Sequence, residues 1–225
     1  MCGRFVRKTE LEALAEIFDA QLETDLAPSY NIAPTEEIAV VLWHARLHKR
    51  ALVAVRWGLV PAWSKDASGA ARMINARVES VAEKPSFREA FKHRRCLIPA
   101  DGFYEWKSGQ EKQKQPVYIH SGQPHPIAFA GIFEHWKKPE GGWLSTCAIL
   151  TTEAHPTLQE VHHRMPVILA PEQQKLWLEP NLNDSEQVLA LLRSLPEQEL
   201  LYYPVSPQVN AVRYNQPECL LPLEA

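Results

Sequence analysis

Eight runs rich in β-branched, aromatic and other apolar residues recur along this 225-residue chain, at 38–43, 52–57, 96–100, 117–120, 127–133, 143–151, 165–169 and 201–205, each bounded by Gly, Pro or Asn. Runs of this length closed by turn residues read as strands. No helical segment alternates regularly with them, which argues against parallel βαβ layers. The fold expected is α+β, a mainly antiparallel, curled or barrel-like sheet with a few short helices. The 18 prolines leave much of the chain as irregular connection, where functional groups tend to be placed. The length suits one well-buried core, so a single domain over 1–225 is expected.

Helix signals are sparse. Thr9-Glu10-Leu11-Glu12 has the pattern of a capping box, and Leu11, Leu14, Ile17 and Phe18 follow at helical spacing, predicting a helix to about Asp19. A second box, Ser86-Phe87-Arg88-Glu89, predicts a short helix carrying Phe87 and Phe91. Pro171 at a first helical position starts a third, and the Leu-rich stretch 185–195 gives a fourth.

Hydrophobic residues make up 45% and charged residues 23% of the chain, an ordinary globular balance without repeats or low-complexity tracts. The N-terminus meets charge at once, and no apolar run is long enough to span a bilayer. A cytoplasmic, monomeric protein with no membrane partner is expected. Cys2, Cys96, Cys147 and Cys219 lie far apart without C-x-x-C pairs, so neither a metal site, a disulfide framework nor a cofactor is expected. Cys96 and Cys147 lie in strand-like apolar runs and read as buried, inert thiols.

A net charge of −3 argues against a generic nucleic-acid binder, but the average hides an asymmetry. Residues 40–120 hold 15 Lys+Arg against 7 Asp+Glu, whereas 121–225 hold 6 against 12. A basic face for phosphates is therefore available.

Cys2 directly follows Met1, and its small side chain permits removal of Met1 by an aminopeptidase. The product carries a 1,2-aminothiol. Its α-amine, with an ordinary pKa of roughly 8, has a usable neutral fraction near neutrality, and its thiolate is a strong nucleophile. Such a pair suits an aldehyde: the amine condenses to an imine and the thiol closes a five-membered thiazolidine. Gly3 permits close backbone approach, and Arg4 places a fixed cation two residues away. Amidohydrolases with an N-terminal Cys can also begin Met-Cys-Gly and use the freed amine as their own base, so that class stays open.

Five further segments follow in order: Asn31-Ile32-Ala33-Pro34, Trp57-Gly58-Leu59-Val60-Pro61-Ala62-Trp63, Ile74-Asn75-Ala76-Arg77-Val78-Glu79, Pro99-Ala100-Asp101-Gly102-Phe103-Tyr104-Glu105-Trp106, and Val161-His162-His163-Arg164-Met165-Pro166. With Met1-Cys2-Gly3-Arg4, this ordered set resembles the SRAP (SOS response-associated peptidase) family from Cys2 to about Val212. The resemblance implies a sensor of abasic sites in single-stranded DNA that forms a thiazolidine crosslink through its mature N-terminal Cys and shields the lesion from strand breakage. It implies that Cys2 carries the bond, that Asn75 and Glu105 line the reaction centre, that His162 assists opening of the sugar ring, and that Arg4 and Arg77 hold phosphates. The family commonly has Asp directly after this His, where this chain has His163. An autoproteolytic or true cysteine peptidase is the second reading, and reversible binding of single-stranded DNA the third.

The chemistry of these residues agrees with the implied roles. An abasic deoxyribose is mostly a closed hemiacetal, and His162 has a near-neutral pKa suited to opening it. Glu105 lies among aromatics that favour a raised carboxyl pKa, although a surface carboxylate alternating with inward aromatics is the plainer reading. Asn75 and Arg77 are two apart and share a face on a strand. Trp63 suits stacking on an unpaired base, Trp57 suits the core, and Pro34 and Arg164 are expected at the border of the DNA channel. Because the reacting carbon carries no base, the site need not read sequence, and affinity should fall with salt.

Overall fold

The computed structural model describes residues 2–108, 114–193 and 199–223. Its strands are β1 (Phe5–Arg7), β2 (Ala20–Leu22), β3 (Ser29–Ile32), β4 (Glu37–His44), β5 (Lys49–Trp57), β6 (Asn75–Arg77), β7 (Arg95–Ala100), β8 (Gly102–Ser108), β9 (Lys114–Ser121), β10 (Ile127–Lys137), β11 (Trp143–Glu153), β12 (Arg164–Pro166) and β13 (Leu200–Pro204). The α-helices are α1 (Leu11–Ile17), α2 (Val78–Val81), α3 (Arg88–His93), α4 (Pro171–Trp177) and α5 (Ser185–Arg193).

The larger sheet runs β12-β11-β10-β7-β4-β5-β2 and curls until β5 also meets β11. That contact is parallel, with Arg56 opposite Thr146 and Trp57 opposite Cys147. Strands β11, β10, β7, β4 and β5 thereby close into a barrel, which removes the free edges a curled sheet would otherwise expose. The smaller sheet, β13-β9-β8-β1-β3, is antiparallel throughout.

Both faces of the barrel wall are apolar, which explains why its strands read as near-continuous hydrophobic runs. Along β4, Ile38, Val40 and Leu42 pack inward with Phe5, Phe103 and Phe129. Ala39 and Val41 pack outward with Leu14, Phe91 and Trp177 from the helices. Phe5 meets Trp57 and Phe129 edge-to-face, with centroids 5.2 and 5.9 Å apart. Trp57, fully buried, donates its indole N–H to the Ile74 carbonyl at 2.9 Å. Gly131 is required in this interior, because a Cβ there would lie 2.8 Å from Cys96 Sγ.

Two helix starts differ from expectation. Neither α1 nor α3 has a side-chain cap at its N-terminus, and the caps are Glu10 and Phe87. Thr9 instead turns to Asp101, which accepts from the Thr9 hydroxyl at 2.6 Å and from the Thr9 and Lys8 amides at 2.9 and 2.6 Å. A tertiary acceptor has outcompeted the local box. The fourth helix is observed to Arg193, and residues 194–195 of the expected span lie outside the described residues. Pro171 does start α4. The short strands β1, β2 and β3 fall outside the eight expected runs because three or four residues are too few to carry a period.

Asp101 ties the segment after β1 to the turn between β7 and β8, and so fixes the chain end that carries Cys2. Asp101→Ala removes the acceptor for three hydrogen bonds and should cost about 1–3 kcal/mol, or roughly 2–10 °C in thermal midpoint for a chain of this size. Thermal unfolding followed by circular dichroism checks this.

Candidate active site

The register of β6 on β11 places Asn75 beside Ile149 and Arg77 beside Thr151. Asn75 Nδ2 donates to the Cys2 backbone carbonyl at 2.7 Å, so residues 73 apart in sequence are joined at the barrel end. The amide oxygen Asn75 Oδ1 is buried and accepts no hydrogen bond from a described residue. Such an acceptor is costly to leave unsatisfied, and it lies beside Cys2.

Cys2 is fully buried and packs in the inner cluster with Phe5, Trp57 and Phe103. Burial therefore raises its thiol pKa, and the nearby Glu105 carboxylate adds to the effect. The sulfur is held as a thiol, which is a far weaker nucleophile than the thiolate.

Glu105 lies on β8 opposite Val117 and is 4% exposed. By the two-residue period it shares the inward face of Phe103, while Tyr104 and Trp106 pack on the other side. The plainer reading of Glu105 as a surface carboxylate is thus replaced: it is among the few buried charged side chains. Burial raises its pKa, the direction that lets a carboxyl keep a proton to give.

His162 is half-buried in the turn that follows a short 3-10 helix, Pro156–Leu158. Its Nδ1 accepts from the Arg164 amide at 2.9 Å and lies 3.1 Å from the Arg164 carbonyl. In the neutral ring the first contact places the proton on Nε2; in the imidazolium, Nδ1–H can donate to the carbonyl instead. The backbone of β12 thus orients His162 in both protonation states, without a carboxylate at position 163. Burial lowers its pKa, and the cations Lys114 and Arg164 lower it further. The His163 ring stacks on it, centroids 4.4 Å apart and planes 24° apart.

The remaining expected site residues are dispersed. Arg77 is exposed. Arg4 is half-buried, and its Nη1 donates to Asn31 Oδ1 at 2.7 Å and to the Val209 carbonyl at 2.8 Å, with its guanidinium 5.8 Å from the Trp106 ring centroid. Arg164 is buried and bidentate to Glu79 at 2.6 and 3.0 Å, and also donates to the Thr151 carbonyl at 2.6 Å. Pro34 is half-buried just before Thr35, whose φ is 76°. Trp63 is 68% exposed. Its loop is anchored where the Val60 amide donates to Thr146 Oγ1, three residues or roughly 10 Å along β11 from Ile149.

Several supports carried no advance signal. Asp101, Glu79 and Asn31 sit within the segments that carry the family resemblance, yet their roles follow only from contacts 27 or more residues away in sequence. Gly102 belongs with them, since a Cβ there would lie 2.5 Å from the Ile119 carbonyl oxygen and 2.6 Å from the Tyr118 hydroxyl. Among the described residues no group of three or more His, Cys, Asp or Glu is placed to hold a metal ion, and no helix is long and apolar enough to cross a membrane.

Against this geometry, the family model described as SOS response associated peptidase (SRAP) matches residues 1–212. The chain belongs to the SRAP family. Among SRAP relatives, the abasic site processing protein YoqW of Bacillus subtilis is 40% identical over 98% of this chain and 99% of its own. The abasic site processing protein HMCES of Gallus gallus is 34% identical over 88% of this chain and 67% of its own. A crystal structure from Bacteroides thetaiotaomicron superposes with a TM-score of 0.87 at 23% identity, covering 99% of this chain and 100% of that one. A phage-related protein from Bordetella bronchiseptica superposes with a TM-score of 0.72 at 31% identity, over 91% and 94%. The SRAP fold is thus the barrel with its smaller antiparallel sheet and short helices.

The buried Glu105 has a consequence for stability. Its folded pKa lies above its unfolded value, so the native state holds a proton that the unfolded chain releases. Stability attributable to this group is present at low pH and is lost as pH rises through the folded pKa. Glu105→Gln should therefore raise the melting midpoint near pH 7, with the gain vanishing below about pH 4, where the carboxyl is protonated in both states. Melting curves of both proteins at the two pH values check this.

Proposed function

We propose that this SRAP protein captures abasic sites in single-stranded DNA covalently, through a thiazolidine between the ring-opened deoxyribose and the aminothiol of Cys2. The observation that carries this reading is the grip of Asn75 on the Cys2 carbonyl, 2.7 Å long, beside a buried carboxyl at Glu105. The names of relatives at 34–40% identity, all abasic site processing proteins, support it.

Removal of Met1 frees the Cys2 amine. Protonated His162 gives its Nε2 proton to the sugar ring oxygen as the C1–O bond breaks, and the C1 hydroxyl gives its proton to solvent water to become the aldehyde carbonyl. The Cys2 nitrogen bonds to that carbon and passes one proton to its oxygen, and the hydroxyl leaves as water with a proton from Glu105, giving a protonated imine. The Cys2 sulfur then bonds to the same carbon as its proton passes to the Glu105 carboxylate, and the nitrogen keeps its remaining proton. Glu105 serves both proton transfers, delivering to the departing oxygen and accepting from the thiol that burial keeps protonated. Asn75 Oδ1 accepts from a sugar hydroxyl.

Arg77, exposed beside the site, takes a phosphate. Arg4 and Arg164 act from behind: the first holds Asn31 and Val209, and the second fixes Glu79 and the turn of His162. Pro34 and Trp63 border the strand, with Trp63 stacking on an unpaired base remote from the lesion.

Mature protein incubated with a single-stranded oligonucleotide containing one abasic site should give a band that resists denaturant. Cys2→Ala, or one residue inserted before Cys2, should abolish it, and His162→Ala should slow its formation by about 10²-fold or more. Peptide cleavage without any such band would instead identify a peptidase.

A further inference from the structure

Beside the reaction centre lies a cleft of about 450 Å³ lined by Arg77, Glu153, Ala154, Gln159, His163 and Arg164. Its volume is within the range that holds a small heteroaromatic ligand. Capture as described employs only Arg77 of this set as a ligand contact, and Arg164 is already committed to Glu79 and Thr151. The cleft therefore presents one imidazole, one carboxylate, one amide and one guanidinium.

Each has a defined direction of recognition. His163 is exposed, and with His162 stacked on one side its ring offers the other side as an aromatic surface. Glu153, exposed at the end of β11, is an acceptor with two oxygens. Gln159, also exposed, can donate through Nε2. Unpaired bases are recognised by just such a combination of stacking and contacts to the Watson–Crick edge. Among the four bases only guanine presents two adjacent donors, N1–H and the N2 amine, to a carboxylate, together with a neighbouring acceptor, O6, for an amide. Thymine presents one N–H between two carbonyl oxygens that a carboxylate repels. Adenine and cytosine each offer one amine next to an acceptor.

We infer that this cleft is a subsite for an unpaired guanine neighbouring the lesion, stacked on His163 and read by Glu153 and Gln159, with Arg77 on the adjoining phosphate. Its placement beside a lesion rests on the abasic-site reading; the pocket itself does not. It gives a site that need not read sequence at the reacting carbon a sequence preference one nucleotide away.

Two measurements test this. The first is the initial rate of capture, at subsaturating protein, of oligonucleotides whose abasic site is flanked on both sides by dA, dC, dG or dT. The dG-flanked substrate should react about fivefold or more faster than the dT-flanked one. Glu153→Gln, at an exposed strand end, should reduce that ratio to near one, because the amide can also donate to thymine O4. His163→Ala should slow all four substrates. The second is anisotropy binding of lesion-free oligothymidylate with and without a single central dG, where the dG should bind more tightly to wild-type protein but not to Glu153→Gln. Equal capture of all four substrates, or a preference that survives Glu153→Gln, would overturn the subsite. Guanine-dependent binding without any capture would overturn the abasic-site reading and leave the subsite standing; loss of both would overturn both.

Discussion

Strand β11 is the constraint on which the rest of this structure depends. It pairs with β10 and β12 in antiparallel fashion and with β5 and β6 in parallel. The contact with β5 closes the barrel, and the contacts with β6 and β12 hang the candidate site on its far end. Asn75 and Arg77 take their positions from Ile149 and Thr151, and the turn bearing His162 is held where Glu153 pairs with Arg164. Parallel pairings cannot form as local hairpins and need a crossover, so the place of Asn75 and Arg77 depends on contacts distant in sequence.

Closure also sets the electrostatics. The inner cluster that excludes water from the barrel extends to Cys2, and the same dryness raises the pKa of both the Cys2 thiol and Glu105. A buried carboxyl beside a buried thiol is unfavourable for stability. It is suited to a reaction in which one proton must leave sulfur and another must reach a departing oxygen. In the proposed reaction the amine escapes this penalty, because its neutral form is the nucleophile.

Much of this was legible in the sequence. The long barrel strands were visible because both of their faces are buried, which makes them continuous apolar runs, as at 127–133 and 143–151. The capping box at Thr9 failed because local pattern cannot register a competing tertiary acceptor such as Asp101, and nothing in the structure explains why Ser86 does not cap α3. The place of Cys2 next to Met1 marks it in the sequence, whereas its full burial depends on Phe5, Trp57 and Phe103 packing with it, which sequence position does not reveal. Glu105 looked like a surface carboxylate until the pairing of β8 with β1 and β9 turned it inward. Arg4 and Arg164 read as DNA contacts from their charge and their place in the segments that carry the family resemblance. The structure shows both guanidinium groups already engaged, by Asn31 and Glu79 respectively, which residue type cannot reveal.

The central claim is that the amine and the thiol of Cys2 end on one carbon of the sugar. Intact mass spectrometry of the protein after reaction with an abasic oligonucleotide tests it most directly. The account predicts a species whose mass is that of the chain lacking Met1 plus the oligonucleotide, less one water, in which Cys2 no longer reacts with a thiol-alkylating reagent. An adduct that retains Met1, or one in which the Cys2 thiol remains free to alkylate, would contradict it.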